Sequence, residues 1–446
     1  VLDTGIVLQD RNGDGVVDDL ELRILLGGNA GEAEVGAAAN LAARFGFETS
    51  ATDLGLVGRA GAREVHQTPV VLVGSRAVDA AGYAGRAGDP LDALSPGQGS
   101  LLHLQPDGTF PSGALAILGY DASGLLAASE YLSGRYPGVW EPSGLSWREV
   151  AERIEDFVGN EDLEGVTVTL QEIVVDGARP GVARARVVVS APSESLFEGA
   201  VDAFLGEDTL PVADTSGVAG EEQAGDKDER VSLSGLEFRA LHRLDVQIDG
   251  PAVSRTISLR PKEPWDVRAP ASFRRGADAS FSLPDIYKVG GLFRDTNRDL
   301  VPDETAAFIS LKGGGAPGAV MDLATRIGLE TAGIRLPLVK LNDQVDDPTS
   351  SGFPVLVGTD HYQIGRLREE GKLPGTDVGP GLGFVQFVDG AFGERNALAV
   401  GGGDDAGLAA AAEWLAYRAP YLWTHGKGEY QLADAETEVR RFLQAR

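Results

Sequence analysis

Apolar residues fall in short runs of strand length separated by stretches with helical spacing, and this alternation occurs twice along the chain. In the later part TAAFISLKG is a strand-length run, and GAPGAVMDLATRIGLETAG spaces its apolar residues as an amphipathic helix does, behind a glycine-rich entry. IRLPLVKL and FPVLVGT are further β-branched apolar runs, HYQIGRLREEG predicts a short helix, LGFVQFVDG and NALAVGGG predict strands, and DDAGLAAAAEWLAYRAP predicts a helix. The early part repeats this order. Alternating strand and helix predicts an α/β fold with a largely parallel or mixed sheet.

The two parts also match residue by residue. ANLAARFGFETSA answers MDLATRIGLETAG, TPVVLVGS answers FPVLVGT, and ALAILGYDASGLLAASEYLSGRYPGVW answers ALAVGGGDDAGLAAAAEWLAYRAPYLW, at separations of 282 to 285 residues. Such a long period indicates a duplicated domain, not a solenoid. The sequence therefore predicts an α/β copy over 1–159, a β-rich α+β module over 160–290 and a second α/β copy over 291–446. Each copy is expected to close with a helix, SWREVAERIEDFVG with Ser146 and Glu149 at capping-box spacing, and DAETEVRRFLQAR. In the module GVTVTLQEIVVDG, VARARVVVSA, VSLSGLEFRALHRLDVQIDG and AVSRTISLRP predict strands, and SESLFEGAVDAFLG a helix. Residues 207–230, acidic and poor in large apolar side chains, predict a mobile loop and a processing site.

Charge narrows the partners. With 67 acidic against 39 basic residues the net charge is −28, a field that repels nucleic acid and anionic membrane surfaces and attracts cations. No apolar run approaches the ~18 residues of a membrane span. There is no Cys, which excludes disulfides and thiolate metal sites. The first residue is Val, which suggests a cleaved signal peptide or an excised fragment; secretion, extracellular or periplasmic, is expected, where calcium would keep moderate-affinity loops filled. The second copy is not followed by a second β module, so either the duplication covered only the α/β part or the native chain continues beyond Arg446.

Each copy opens on a candidate calcium loop. DRNGDGVVDDLE offers oxygen donors at positions 1, 3, 5 and 9 (Asp10, Asn12, Asp14, Asp18), a glycine at the sharp turn (Gly15), the carbonyl of Val16 at position 7 and Glu21 at position 12. Calcium takes six to eight hard oxygens at about 2.3–2.6 Å, and this spacing wraps one loop around one ion. DTNRDLVPDETA keeps Asp295, Asn297, Asp299 and Asp303, with Val301 at position 7, but has Leu300 in place of the glycine and Ala306 at position 12; Glu304 is an alternative donor. The flanks of the first loop do not read as the helices of an EF-hand. Its dozen residues resemble the calcium loops of thrombospondin type 3 repeats and related extracellular D-x-N-x-D-G proteins, and the resemblance implies a structural calcium, one or two ions per chain.

Glycine-rich turns recur at strand-to-helix junctions, GGNAG and GGGAPG early in each copy, GYDASG and GGGDDAG later. Backbone amides there could cradle an anion. Neither copy has a P-loop Lys-Ser/Thr or a GxGxxG, so helix caps at Asp121 and Asp404 are the expected role. The five histidines form no ligand pairing; His361, at the end of an apolar strand, is the candidate for a catalytic role, with a surface-loop histidine as the alternative. Trp140 and Trp423 recur in both copies and read as core anchors, with a sugar-stacking platform as the alternative.

The order PVLVGT, short helix, GKLP, strand pair and ALAVGGGDDAGLAAAAEWLA is similar to α/β accessory domains of secreted carbohydrate-active proteins: the non-catalytic N-terminal domains of some hexosaminidases and glucuronidases, and the flavodoxin-like domains of the periplasmic cellulose synthase subunit. That resemblance implies no catalytic residue. Together these features predict a calcium-stabilised binding or assembly component of a surface or polysaccharide-associated system, partnered by another chain or by itself. A glycan or peptide hydrolase, with its site between the copies or beyond Arg446, and an extracellular filament subunit are the competing expectations.

Overall fold

The computed structural model describes residues 7–13, 15–50, 54–61, 65–83, 91–134, 286–287, 289–295, 304–342 and 352–418, and the backbone of seven strands between 167 and 261. The two closing helices, the helix expected at SESLFEGAVDAFLG, Trp140, Trp423 and residues 213–229 lie outside the described residues.

Copy one comprises β1 (Leu8–Gln9), β2 (Asp19–Leu20), β3 (Arg23–Leu26), α1 (Glu32–Phe47), β4 (Val57–Arg59), β5 (Val70–Val73), α2 (Ser75–Ala80), β6 (Gln98–Leu104), β7 (Ala114–Gly119) and α3 (Ala122–Gly134). The β-rich module supplies β8 (Thr167–Asp176), β9 (Val182–Ser190), β10 (Thr209–Val212), β11 (Arg230–Leu233), β12 (Leu236–Arg239), β13 (Arg243–Asp249) and β14 (Ser254–Pro261). Copy two comprises β15 (Phe293–Arg294), β16 (Glu304–Thr305), β17 (Ala307–Leu311), α4 (Pro317–Leu329), β18 (Ile334–Arg335), β19 (Val339–Leu341), β20 (Phe353–Val357), α5 (Tyr362–Glu369), β21 (Gly383–Phe392), β22 (Arg395–Gly402) and α6 (Asp405–Glu413), which ends in a π-helical turn, Trp414–Arg418. The fold is α/β, and the two copies share one element order among the described residues, except that copy two has two short strands, β18 and β19, where copy one has β4.

The chain divides into two compact units whose boundaries cut across the repeat. One contains residues 1–7, 59–233 and 237–269; the other contains 8–58, 234–236 and 270–446. In the first unit eight strands follow the order β10-β14-β13-β9-β8-β6-β7-β5. Strand β5 runs parallel to β7, and β6 antiparallel to both β7 and β8, so the module's strands continue the sheet of copy one through β6. Residues 209–212, expected as part of the acidic loop, are instead strand β10 at the edge of this sheet, where Pro211 can sit because an edge residue need not donate an N–H.

In the second unit a five-stranded sheet has the order β19-β17-β20-β22-β21, parallel except for β21, and β22 and β21 repeat the pairing of β7 and β6. One core cluster joins Leu356, Phe384, Val388 and Phe392 to Ile364 and Leu367 of α5. Helix α4 packs against α6 and also against α1, which docks on β19. Residues 8–58, from the opposite end of the sequence, are thus built into the unit that holds copy two.

Candidate functional site

The first calcium-type loop closes a small hairpin. Leu8 and Gln9 pair with Leu20 and Asp19, and the Asp18 amide donates to the Gln9 carbonyl at 2.9 Å. Leu8, Leu20 and Leu22 are buried, which anchors the loop on the core. Within it the Asp10 carboxylate acts as a hub, Oδ1 accepting from the Gly13 amide at 2.7 Å and Oδ2 from the Gly15 amide at 2.8 Å. Both glycines lie at positive φ, 75° and 85°, which a side chain at either position would strain. Asp18 Oδ1 accepts from the Arg11 amide at 3.0 Å, and Arg11 pairs with Asp19. Asn12, Val16 and Glu21 are exposed, and Asp14 lies outside the described residues. An ionised carboxylate carries about four acceptor sites, so two amide bonds and ligation of a cation are compatible at Asp10. The donor set, all hard oxygen, fits calcium. Among the described residues no three His, Asp or Glu side chains are gathered in a metal-holding group.

The second loop springs from the equivalent hairpin, in which Phe293 pairs with Thr305 and Arg294 with Glu304. Asp295 follows β15, while Asn297, Asp299, Val301 and Asp303 lie outside the described residues. Glu304, the alternative donor envisaged from sequence, is engaged by two arginines. Its carboxylate takes Arg294 Nη1 at 3.1 Å and Arg335 Nη2 at 3.0 Å, so two guanidinium groups already neutralise it.

The later glycine turns are helix caps, as expected. Asp404 Oδ1 accepts from Gly407 N at 2.8 Å at the start of α6 and from Gly381 N at 2.9 Å, and these amide bonds hold its carboxyl below the ordinary range. Asp121 repeats this in copy one, accepting from Gly124 N at 2.9 Å and Gly97 N at 3.0 Å. The early turn of copy two already holds an anion from the chain itself: Glu32 Oε2 accepts from Gly313 N at 2.9 Å and lies 3.2 Å from Lys312 Nζ.

His361 is 2% exposed and caps α5. Its Nδ1 accepts from Gln363 N at 3.2 Å, so a neutral ring carries its proton on Nε2, which faces Ser310 Oγ at 3.0 Å. Burial pushes the imidazole down to about 4; a hydrogen bond to the Ser310 backbone opposes that shift and Lys312 adds to it. A general base must accept a proton from the serine, whereas this ring donates to it. The pair holds the ends of β17 and β20 together.

What sequence reasoning missed is the crossing of α1 with α4. A Cβ on Gly46 would fall under 3.0 Å from the Thr325 carbonyl, and one on Gly328 equally close to that of Ala43. Asn40, 1% exposed, donates through Nδ2 to Val339 O at 3.1 Å and accepts at Oδ1 from Val339 N at 2.7 Å. Reciprocally, Asp322 Oδ1 of α4 accepts from Gly55 N at 2.7 Å. Each helix also carries a buried ion pair, Arg44 with Glu48 at 2.6 Å and Arg326 with Glu330 at 3.3 Å. The signal was present in the repeat alignment, where R-x-G-x-E-T recurs in ARFGFET and TRIGLET. Comparison with protein-family models and with curated proteins finds no match to this chain.

Proposed function

We propose that this chain is a calcium-stabilised binding and assembly protein of the cell exterior, secreted or periplasmic, serving as a component of a surface or polysaccharide-associated system. The observation that carries this reading is the recurrence of one device: a D-x-N-x-D loop at the tip of a short hairpin, at the same place in both copies, with the first hairpin rooted in buried leucines. The ligands assigned are Asp10, Asn12, Asp14, the Val16 carbonyl, Asp18 and Glu21 in the first loop, and Asp295, Asn297, Asp299, Val301 and Asp303 in the second. A bound ion supplies a cross-link between the hairpin strands, and it stabilises the folded state by mass action because the unfolded loop offers no comparable site. The net charge of −28 favours cations at every surface. The donor role of His361 and the capping role of Asp404 speak for a scaffold over a hydrolase.

Native mass spectrometry of the protein with and without chelator tests the reading. Calcium masses that vanish with chelator, together with a co-isolating chain or a second copy, are the expected result. A metal-free monomer under both conditions overturns it.

A further inference from the structure

The five-stranded sheet of the second unit has one edge closed and one open. At β19 the Asn40 side chain bonds both backbone groups of Val339, as a neighbouring strand would. At the other edge β21 has β22 on one side and, among the described residues, no strand on the other. Gly403 N donates to Leu382 O at 3.0 Å, so the alternation of an antiparallel ladder turns Phe384 and Gln386 towards β22 and aims the N–H and C=O of Gly383 and Val385 outward. Those outward groups have no partner among the described residues.

Copy one shows what such an edge takes. Strand β6 is the counterpart of β21: a Cβ on Gly99 would run into Gly124 O of α3 and one on Gly383 into Gly407 O of α6, while Tyr120 N donates to Gln98 O as Gly403 N does to Leu382 O. Beyond β6 lies β8, which pairs antiparallel with residues 98–102. Residues 382–386 stand 284 positions further along the chain. Leu101 and Leu102, beside β8, are 4% and 6% exposed. Their counterparts Val385 and Gln386 are only half-buried, and Leu382 is 45% exposed.

We propose that β21 pairs with β21 of a second copy across a two-fold axis through Phe384, residues 382–386 of each chain forming the ladder that β8 forms on β6. Identical edges related by a two-fold axis perpendicular to the sheet run antiparallel, which is the orientation of β8 on β6. In this register Gly383 of each chain meets Val385 of the other, so the outward groups of one strand satisfy those of its partner, Leu382 is set against Gln386, and the two sheets become one continuous sheet. Residues 382–386 carry no charge in a chain with 67 acidic residues, so the pairing sets no like charges opposite each other. Nor does the segment have the Lys, Pro or bulge that shields an edge strand; the register shift in β21 comes later, between Val388 and Phe392. Two chains of net charge −28 repel at long range, and physiological salt screens that field beyond about 8 Å. The contact uses neither hairpin loop, so oligomeric state and metal content are read separately and either reading can fail alone.

Sedimentation velocity of the full chain at about 0.15 M salt should show a monomer in equilibrium with a dimer as concentration rises. Amide hydrogen exchange, read residue by residue, should slow at Gly383 and Val385 as the dimer forms, while Phe384 and Gln386 are protected at every concentration. Two double variants fix the register. Leu382→Lys with Gln386→Lys sets like charges opposite each other at both ends of the ladder, and should raise the dimer Kd about tenfold or more over Leu382→Lys with Gln386→Glu, which sets opposite charges there. A monomer at all concentrations, a dimer whose Gly383 and Val385 amides still exchange fast, or equal Kd values for the two variants would overturn the proposal. Protection of those two amides only in a complex with a different polypeptide would assign the edge to that partner and overturn it equally.

Discussion

The two copies share a frame and differ in how the frame is finished. Both helices of the crossing carry a buried arginine paired with a glutamate four residues on. Arg326 also donates to the carbonyls of Leu415 at 3.2 Å and Ala416 at 2.8 Å, and lies over the Tyr287 ring at 3.8 Å. It satisfies the orphan carbonyls at the end of α6 and its π-helical turn, where a cation also meets the favourable end of the helix dipole. Tyr287 adds a hydroxyl donor to Leu415 O at 3.1 Å. Arg44 closes its own helix turn through Glu48. The lesson is that the shared arginine and glutamate pair within their own helix in both copies, and that in copy two the arginine also ties α4 to the end of α6.

The sharpest way to break this equivalence is to remove each arginine in turn. Both lie 1% exposed beside a buried glutamate, so Arg44→Met and Arg326→Met should each cost about 3–5 kcal/mol, the penalty for stranding a buried charge. Arg326→Met is expected at the upper end, because Leu415 and Ala416 lose a donor as well. Urea midpoints with unchanged slopes would measure it, and an Arg326→Met loss below about 3 kcal/mol would mean the bonds to Leu415 and Ala416 contribute nothing.

The glycines test the opposite expectation, that of symmetry. A methyl on either meets a backbone carbonyl that cannot rotate away, so Gly46→Ala and Gly328→Ala should each cost about 3 kcal/mol, at the upper end of ordinary overpacking. A loss at one position only would show that the crossing is not reciprocal in energy.

Much of this frame was legible in the sequence, because hydrophobic period is a local property. The runs TAAFISLKG, FPVLVGT and NALAVGGG became β17, β20 and β22, and Asp121 and Asp404 cap α3 and α6 as the D-x-x-G spacing indicated. The partition of residues 8–58 was not legible. Pairing of α1 with α4 joins segments far apart in the chain, and periodicity reports which face of a helix is apolar without naming what covers it. Only R-x-G-x-E, repeated in both copies, hinted that this face carries more than generic packing. Strand β10 was missed because acidic neighbours and Pro211 mask an edge strand. The metal loops were read from spacing alone, whereas the commitment of Glu304 to Arg335 depends on residues about one helix and a turn apart in the fold.

Acid should separate the copies by a somewhat smaller effect. Helix α5 is capped by His361, while the corresponding helix of copy one, α2, is capped by Gly74 with no side chain to titrate. The folded ring titrates at about 4 against an ordinary 6.5, so between these values the unfolded chain binds the additional proton. Stability from this group is complete above pH 6.5 and is lost as pH falls towards 4, by roughly 3 kcal/mol in all. His361→Gln should flatten that part of the stability profile, and hydrogen exchange should show α5 opening earlier than α2 as wild type is acidified. An acid slope that survives the substitution would locate the sensitivity elsewhere.

The smallest expected effect separates the two loops. In the first, glycines at 13 and 15 let the chain fold their amides onto Asp10, and the loop contributes a full row of hard oxygens. In the second, Leu300 replaces the turn glycine, and the neighbouring Glu304 is bound by two arginines. Asp10→Ala should therefore remove about 1–2 kcal/mol of calcium-dependent stability at a calcium concentration some tens of times the dissociation constant. In chelator the same substitution should cost less, since only the two amide bonds are lost. Asp295→Ala should show a weaker calcium dependence, because that loop lacks both the turn glycine and a position-12 carboxylate. Melting curves of the two variants with and without chelator decide the matter. If Asp10→Ala lost the same stability in both conditions, its carboxylate would be a turn-former alone, and the two hairpins would differ in sequence without differing in purpose.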